Sequence, residues 1–499
     1  MAPKADRTPY RLISIPILRQ FTSDILEKKM SNFLPNHTLD MIDQATMLHP
    51  VSSIEDLHAK GPTLYETAQG VTLRDSNGRD HVDMGAGLWC VNVGYGHDAL
   101  VEAGTTALKT LSYQHHFGNA AAKDTVRLSE RLVQLFHDQA GATHLNRVFY
   151  GTSGSDANDT AYKLVRYYNN LRGKTEKKKI ISRIGAYHGL TAAATSLTGI
   201  DAYHKMFDLP LPDVLHTSCP HFYRYGKAGE TEAEFTDRMV ADLESLIQRE
   251  GPETVGAFIV EPVMGTGGVF LPPLGYFEKV QKLLDQHDIL LIADEVISGF
   301  GRLGHWFATG AFGLKPDIVS LAKGLTSAYF PMSASMISDR IYDVLSAKSA
   351  ETGVFMHGFT YSGHPVGSAI ALANIDVIEK EGLVAKAAAN GPYLLKALQD
   401  VTSGCPFVGD VRGMGLMIGV EYVADKRTKA ECPAGSAPHK IVSKYAFEEG
   451  VLPRALPFLP VNSFSPPLNI TRAEIDEGVS RFGRALKCAE PELSKALQA

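Results

Sequence analysis

Cysteine is scarce in this chain, and long apolar runs are absent. The five cysteines (Cys90, Cys219, Cys405, Cys432 and Cys488) are scattered, odd in number and without CxxC spacing. This pattern argues against a disulfide framework or a structural zinc site and favours reduced thiols in the cytoplasm. No apolar run approaches the ~20 residues that a membrane span requires, so we expect no membrane partner.

A dominant charge of either sign is also missing. The formal net charge of -6 over 499 residues offers no electrostatic basis for binding nucleic acid or an anionic membrane. The neighbouring His115–His116 pair has no carboxylate or thiol near it at helical ligand spacing, so no metal site is predicted. What the sequence does have is 44% hydrophobic residues, enough to build a core that excludes water from a buried site.

The N-terminal segment is predicted to stand apart from the folded domains. Residues 1–35 are interpreted as a mobile leader, because the apolar patch Leu12–Leu18 is interrupted and the acidic residues nearby fit a transit peptide poorly. A simple hypothesis places the functional start at Met30.

From Lys123 onward, short apolar runs alternate with amphipathic segments. Strands are predicted at Arg147–Tyr150, Lys179–Arg183, Gly256–Glu261, Ile289–Asp294 and Ile318–Ala322. Helices are predicted at Lys123–Phe136, Asp156–Leu171, Pro365–Glu379 and Leu383–Val401. This rhythm is typical of an α/β fold with a mostly parallel sheet covered by helices on both faces.

The pattern changes near Gly363, where long helices give way to a smaller α+β piece. We therefore expect residues 36–85 to form the N-terminal part of a small domain, 86–362 a large domain, and 363–499 the C-terminal part of the small domain.

Polar residues stand where several predicted strands end. Asp294 and Glu261 close two of the apolar runs, Lys323 follows a third, and Tyr187–His188 come shortly after a fourth. One such residue would ordinarily be a capping or solvated side chain. Because the carboxyl ends of parallel strands share one edge of a sheet, the whole set predicts a ligand site at that edge.

A glycine- and serine-rich stretch, Gly151–Asn158, lies between a predicted strand and a predicted helix. Glycines allow close backbone approach, and a helix N-terminus attracts anions, so this stretch suits a phosphate. It is not a P-loop, because no Gly-Lys-Ser/Thr follows. The alternative is an ordinary helix N-cap built from Ser155 or Asp156.

Taken together, these motifs resemble class III aminotransferases, and one of them resembles the ω-amino acid or amine:pyruvate branch. The resemblance runs from about His49 to the C-terminus. The matching motifs are Ala293–Arg302, Pro316–Ile318, Ala322–Gly324, Gly154–Ser155 with Asn158, Tyr187–Gly189, Phe359–Pro365 and, for the branch, Gly87–Gly94.

The resemblance implies a fold and a cofactor. The fold would be pyridoxal-phosphate-dependent transferase fold type I, with a mostly parallel seven-stranded sheet in the large domain and a smaller α+β domain. Lys323 would bind pyridoxal 5'-phosphate as a Schiff base and move the proton, and Asp294 would pair with the pyridine nitrogen. The remaining cofactor-binding residues would be Ser153, Gly154, Ser155, Tyr187, His188, Glu261, Val296 and Thr360.

The resemblance also implies substrate-binding residues and a partner. Trp89, Phe117, Tyr187, Phe359 and Arg454 would bind substrate, Arg454 by forking onto its carboxylate. Two alternatives stay open: Trp89 as a core tryptophan and Arg454 as a surface arginine. Thr360 would reach the phosphate of the other subunit, which implies a homodimer with shared active sites, with a tetramer as the other possibility.

The predicted function is amino transfer, by a ping-pong mechanism, from a primary amine or ω-amino acid to a small 2-oxo acid. Pyruvate, giving alanine, is the expected acceptor. The main alternative is another enzyme on the same scaffold: a decarboxylating transaminase, an aminomutase or a racemase. A non-catalytic binding protein is disfavoured, because Lys323, Asp294, Tyr187, Ser155 and Thr360 are all present.

Overall fold

The computed structural model describes residues 35–498. The predicted leader 1–35 and the predicted start at Met30 lie outside these residues, apart from Pro35, where the first helix begins. Two compact units can be distinguished by their contacts. The first extends to Glu66 and includes Arg74–Arg79, and the second comprises Thr67–Leu73 and the chain from Asp80 onward.

The described helices are α1 (Pro35–Thr46), α2 (Ile54–Lys60), α3 (Ala86–Trp89), α4 (Asp98–Thr110), α5 (Lys123–Ala140), α6 (Gly154–Leu171), α7 (Ala192–Leu197), α8 (Phe222–Tyr225), α9 (Glu232–Glu250), α10 (Tyr276–Gln286), α11 (Ala308–Ala311), α12 (Asp339–Thr352), α13 (Pro365–Lys380), α14 (Leu383–Thr402), α15 (Pro438–Glu448) and α16 (Arg472–Gln498).

The described strands are β1 (Tyr65–Gln69), β2 (Thr72–Asp75), β3 (Asp80–Asp83), β4 (Leu145–Gly151), β5 (Lys179–Arg183), β6 (Val214–Thr217), β7 (Val255–Val260), β8 (Leu290–Asp294), β9 (Ile318–Leu321), β10 (Ser333–Ser338), β11 (Val408–Met414), β12 (Met417–Tyr422), β13 (Val451–Leu452), β14 (Arg454–Ala455) and β15 (Val461–Phe464).

In the first unit, the helices α1 and α2 are joined by a short connection, residues 47–53. Helix α2 begins after Ser53, whose hydroxyl accepts a hydrogen bond from the Asp56 N–H at 3.2 Å. This satisfies one of the N–H groups that every helix start leaves without an intrahelical acceptor.

A seven-stranded sheet organises the second unit, in the order β4-β10-β9-β8-β7-β5-β6. Strand β10 runs antiparallel to both of its neighbours, and the pairs β9–β8, β8–β7, β7–β5 and β5–β6 are parallel. The predicted α/β fold with a mostly parallel seven-stranded sheet is therefore confirmed.

The residues of β7 show how the sheet is covered. Phe258 and Val260 pack into one hydrophobic cluster, whereas Ala257 and Ile259 pack into another. Because alternate residues of a strand point to opposite faces, both faces of the sheet are buried. This explains why β7 reads as a continuous apolar run.

A second sheet, of order β11-β12-β15-β14, lies in the C-terminal part of the chain and is antiparallel throughout. Helix α14 packs on β11, and α15 packs on α16. This is the smaller α+β piece that the sequence pattern predicts, although the domain boundaries at 85/86 and 362/363 stay predictions. Within residues 35–498, none of the helices combines the length and apolarity that a bilayer crossing requires.

Candidate functional site

A cavity of about 130 Å³ opens at the carboxyl ends of β5, β7, β8 and β9. Asp294 is the last residue of β8, Glu261 directly follows β7, and Lys323 lies two residues beyond β9. The residues that line it are Gly154, Ser155, Asn158, Tyr187, His188, Gly189, Glu261, Val263, Asp294, Val296, Ile297 and Lys323. The structure thus brings together the polar residues that the sequence places at strand ends.

Asp294 is buried and held in a fixed orientation by three donors. Its Oδ2 accepts hydrogen bonds from Asn158 Nδ2 at 2.7 Å and His188 Nδ1 at 2.8 Å, and its Oδ1 accepts from the Val296 N–H at 3.0 Å. The same Asn158 amide donates to the His188 carbonyl oxygen at 2.7 Å. The carboxylate therefore cannot rotate without breaking several bonds, which is the arrangement that preorganises a charge.

Glu261 is buried beside the cavity and bridges two backbone groups. Its Oε1 accepts from the Tyr187 N–H and its Oε2 from the Gly265 N–H, both at 2.9 Å. Burial raises the pKa of this carboxyl, and the negative charge of Asp294 adds to the effect. Both oxygens are used for backbone contacts, which favours an orienting function for Glu261.

The N-terminus of α6 points its first turn at the cavity. Ser153 is the N-cap: its hydroxyl accepts from the Asp156 N–H at 3.2 Å, and Asp156 Oδ2 accepts from the Ser153 N–H at 3.0 Å. The alternative of an N-cap at Ser155 or Asp156 is therefore wrong in position, because the helix begins earlier than the predicted Asp156. Gly154 and Ser155 occupy the first turn, where N–H groups have no intrahelical acceptor.

Close packing around this turn requires glycine at two points. A Cβ on Gly154 would lie 2.9 Å from Val296 Cγ1, and a Cβ on Gly189, whose φ is +128°, would lie 2.4 Å from Ser155 Oγ. The Leu190 N–H donates to the same Ser155 hydroxyl at 3.1 Å. The two glycines thus let the Val296 and Gly189 segments close against the helix start.

Lys323 begins a short 3₁₀ turn with a positive φ of 44°, unusual for a residue with a side chain. Burial, assisted by the nearby Arg454 guanidinium, lowers the pKa of the amine to about 8, against the opposing effects of Cys90, Asp294 and Glu261. A lysine in this state exists partly as the free amine near neutral pH, which makes it a nucleophile and a base.

Trp89 connects Lys323 to Arg454. Its ring centroid lies 5.6 Å from Lys323 Nζ and 4.2 Å from Arg454 Cζ. Trp89 is only 1% exposed and packs with Val263 and Ile297, so it is a core residue that lies behind two residues of the cavity lining.

Arg454 is half-buried in β14, whose backbone pairs with β15 at Ser463. Burial lowers its pKa, while Tyr203 and Tyr187 oppose that shift. Among residues 35–498, no carboxylate forms an ion pair with this guanidinium. Arg454 is thus a partly desolvated cation without an ion-pair partner among the described residues, not a surface arginine.

Tyr187 and Tyr203 form an edge-to-face pair beside the cavity, with ring centroids 5.7 Å apart. Burial raises the pKa of Tyr187 to about 12, so it stays a neutral phenol. Tyr203 is not predicted from the sequence, because it lies in a 3₁₀ turn (Asp201–Tyr203) without a strand or helix pattern to mark it.

Six predicted site residues are not among those that line the cavity: Ser153, Trp89 and Arg454, described above, and Phe117, Phe359 and Thr360. Phe117 is 53% exposed and Thr360 is exposed, and the Thr360 carbonyl oxygen accepts from the Tyr113 hydroxyl at 2.9 Å. Phe359 packs edge-to-face on Phe149, with ring centroids 6.3 Å apart. Within one chain, Phe117, Phe359 and Thr360 are therefore outside the cavity that Lys323 lines.

The donor set at the cavity fits pyridoxal phosphate. Lys323 is an amine with a lowered pKa, Asp294 is a buried carboxylate held rigidly by Asn158 and His188, and the first turn of α6 offers free N–H groups for a phosphate. No group of three or more potential metal ligands occurs within the described part of the chain.

Comparison with known proteins agrees with this fit. The family model described as aminotransferase class-III matches residues 55–486. A diaminobutyrate–2-oxoglutarate transaminase of Halomonas elongata is 42% identical over 463 residues, which cover 92% of this chain and 98% of the relative. A probable mitochondrial gamma-aminobutyrate transaminase of Oryza sativa is 42% identical over 434 residues, covering 87% of this chain and 86% of that relative.

Solved structures lead to the same family. The omega transaminase of Pseudomonas jessenii in complex with PMP has a TM-score of 0.87 and 41% identity, covering 90% of this chain and 98% of the other. Its fold and its cofactor confirm the predicted transferase fold type I and the predicted use of pyridoxal phosphate. This chain belongs to the class III aminotransferase family, and it is a pyridoxal-phosphate-dependent aminotransferase.

Proposed function

We propose that this enzyme moves an amino group from a primary amine or ω-amino acid to a small 2-oxo acid, with pyruvate as the main acceptor and alanine as the product. The observation that carries the proposal is the guanidinium of Arg454, half-buried, stacked on Trp89 and not ion-paired within residues 35–498. Its fork of N–H donors matches the two oxygens of a carboxylate.

The number of cations favours a monocarboxylate. Among the described residues that line the cavity, Lys323 is the one lysine or arginine, and Arg454 is a guanidinium that contacts the same Trp89 ring. Pyruvate needs one cationic partner for its carboxylate. A 2-oxoglutarate molecule would bring a second carboxylate, and burying it without a partner would be costly.

Pyridoxal phosphate, when bound, supplies an aldehyde that takes up the amino group and a ring that withdraws electrons from the reacting carbon. The chain's own part in catalysis is to hold and move a proton. Lys323 Nζ, whose pKa burial lowers to about 8, can take a proton as a free amine and return it as an ammonium.

Asp294 contributes a fixed negative charge at the base of the cavity. Asn158, His188 and the Val296 N–H hold its oxygens, so the charge needs no rearrangement during turnover. We infer that it pairs with the ring nitrogen of the cofactor, with Tyr187 and Val296 on the two ring faces. Ser153, Gly154 and Ser155 would bind the phosphate at the start of α6, and Glu261 would orient the Tyr187 backbone.

We further propose a homodimer in which each subunit completes the other's site. Thr360, Phe117 and Phe359 are not among the residues that line the Lys323 cavity. Exposed apolar side chains accompany them: Val126 lines a groove together with Phe117, and Met356 and Tyr361 lie in the same stretch of chain as Phe359 and Thr360. Such a surface on one chain indicates a protein interface. The unpaired state of the five cysteines supports the proposed location in the cytoplasm.

The test is spectroscopic. A panel of amines, diamines and ω-amino acids is added to the holoenzyme while the absorption band of the bound cofactor is followed. A true donor bleaches the band, and pyruvate should restore it. Restoration by 2-oxoglutarate alone would refute the pyruvate assignment. Carbon dioxide release during bleaching would instead favour the decarboxylating alternative, and product formation without bleaching would favour a mutase or racemase.

A further inference from the structure

We propose that His357 is a positioning residue that anchors the segment Met356–Thr360 to helix α6, and that it acts on the partner subunit's active site, not on its own. This inference rests on the proposed shared-site dimer. The structural observation behind it is a polar and aromatic attachment of this segment to the same helix whose N-terminus faces the cavity.

His357 is fixed on both ring nitrogens. Its Nδ1 lies 2.8 Å from Lys163 Nζ, and its Nε2 lies 2.9 Å from Thr160 Oγ1. Lysine can only donate, so Nδ1 must accept and Nε2 must carry the proton, which it donates to Thr160. The Thr160 hydroxyl then donates to the Asp156 carbonyl oxygen at 2.8 Å.

This chain of hydrogen bonds leads to the first turns of α6. Asp156 is the residue that caps the Ser153 N–H at the helix start, and Thr160 is only 1% exposed. Burial, assisted by the charge of Lys163, lowers the pKa of His357 to about 4, in keeping with the neutral tautomer. The attachment point is therefore a rigid element, and it does not depend on protonation near neutral pH.

Aromatic packing completes the attachment. The His357 ring stacks on Phe149 with centroids 5.1 Å apart and an angle of 9°, and it meets Phe359 edge-to-face at 5.2 Å. Phe149 belongs to β4, the strand that leads into the Ser153 loop. The residue next to His357 is Gly358, where a Cβ would lie 2.5 Å from Phe117 Cε1. His357 thus sits at the root of the group that includes Phe117, Phe359 and Thr360.

The two sides of the attachment differ in how firmly they are held. Helix α6 has its own capping box and buries Leu164 and Val165 completely, so it keeps its place without His357. The segment is the looser side, since residues 353–364 belong to no helix or strand. Loss of His357 should therefore displace Thr360, whose proposed target is the phosphate in the partner's site.

The first measurement compares cofactor affinity in His357→Phe, which keeps the stacking on Phe149 but loses both hydrogen bonds. We expect pyridoxal phosphate to bind about tenfold more weakly, the usual effect of losing one hydrogen bond to a ligand. Pyridoxal, which lacks the phosphate, should bind with unchanged affinity. His357→Gln, which can still donate to Thr160, should restore part of the loss. The matched control is His137→Phe. His137 lies on α5 and its Nε2 is 2.9 Å from Asn146 Oδ1, so its loss should change the affinity for neither ligand.

The decisive measurement uses mixed dimers purified through two different tags. One chain carries Lys323→Ala and the other carries His357→Phe. Lys323 is then intact only in the site of the His357→Phe chain. In a shared-site dimer, that site receives its partner segment from the other chain, in which His357 is intact. We expect the live site to bind pyridoxal phosphate as tightly as in a mixed dimer of Lys323→Ala with wild type. An affinity as weak as in the His357→Phe homodimer would overturn the proposal, because His357 would then act within its own site.

A parallel mixed dimer of Lys323→Ala with Thr360→Ala separates this inference from the proposed function. If the mixed dimer with Thr360→Ala recovers cofactor affinity and the mixed dimer with His357→Phe does not, the proposal for His357 is refuted while the shared site stands. No recovery with Thr360→Ala would refute the shared site, and the His357 proposal with it. A His357→Phe homodimer with wild-type affinity for the phosphorylated cofactor would also refute the proposal.

Discussion

Replacing Arg454 with leucine should separate acceptors that carry a carboxylate from those that do not. The guanidinium lies 4.2 Å from the Trp89 ring centroid and has no ion-pair partner among residues 35–498, so its charge is available to a bound substrate. Leucine keeps much of the apolar stem that packs on Trp89 but removes the fork of donors. The substitution therefore tests charge recognition with little change in packing.

The size of the effect follows from the geometry. A hydrogen bond to a charged group contributes about 1.5–3 kcal/mol, and a carboxylate accepts two from one guanidinium. Because Arg454 is only half-buried, water screens part of this, and we take about 2–3 kcal/mol for the pair. At about 1.4 kcal/mol per factor of ten, kcat/KM for pyruvate should fall about 30- to 150-fold.

The assay compares pyruvate with propanal, which has the same carbon chain length but no carboxylate. We expect Arg454→Leu to lose activity with pyruvate and to keep or gain activity with propanal, since an unpaired, half-buried charge has been removed. Arg454→Lys keeps the charge but loses the fork of donors, so its activity with pyruvate should lie between those of the wild type and Arg454→Leu. Arg427→Leu, at an exposed surface position, is the control. An equal loss with both acceptors would refute carboxylate recognition by Arg454.

Three further predictions concern the cofactor site. Asp294→Asn removes the charge but keeps the shape, so kcat should fall about 100-fold or more while the affinity for pyridoxal phosphate changes little; turnover near the wild-type value would contradict the assignment. Burial lowers the pKa of Lys323 to about 8, and the free amine is the reactive form. The rate at which the apoprotein takes up the cofactor should therefore rise up to a pH of about 8 and level off above it. A rate that does not depend on pH in stopped-flow measurements would argue against this. Gly154→Ala places a Cβ 2.9 Å from Val296 Cγ1, which should displace the start of α6. Binding of the phosphorylated cofactor should then weaken about tenfold more than binding of pyridoxal. Equal effects on both ligands would show that the helix start does not hold the phosphate.

The sequence predicted the sheet and the main site residues because both rest on local patterns. Strand β5 has the predicted bounds, β8 and β9 differ from theirs by one residue at one end, and β7 begins and ends one residue earlier than predicted. Since parallel strands end at a common edge, the polar residues that follow them had to meet there. This is why Asp294, Glu261 and Lys323 could be grouped before their positions were known.

Strand β10 shows where local patterns fail. Its sequence, Ser-Ala-Ser-Met-Ile-Ser, has no apolar run, yet all six residues are buried. Ser333 is satisfied by donating to Asp156 Oδ1 at 2.7 Å, a contact with a helix far away in sequence. Small polar residues in a buried strand are stable when such partners exist, and the partners cannot be read from the strand itself.

The substrate side of the site depended on contacts between distant parts of the chain. Trp89 has a positive φ of 60° and packs into the core, which brings its ring to Arg454 near the other end of the sequence. Prolines 457 and 460 follow Arg454, and the backbone of this residue is fixed by pairing with β15. Tyr203 entered the site only through its packing on Tyr187. None of these contacts has a signal in sequence spacing.

The central claim is that Lys323 is the residue that binds the cofactor covalently. Borohydride reduction of the holoenzyme, followed by proteolysis and mass spectrometry, tests it most directly. We expect one cofactor-modified peptide, with the modification on Lys323, and none in the Lys323→Ala variant. A modification on any other lysine in the wild-type enzyme would contradict it.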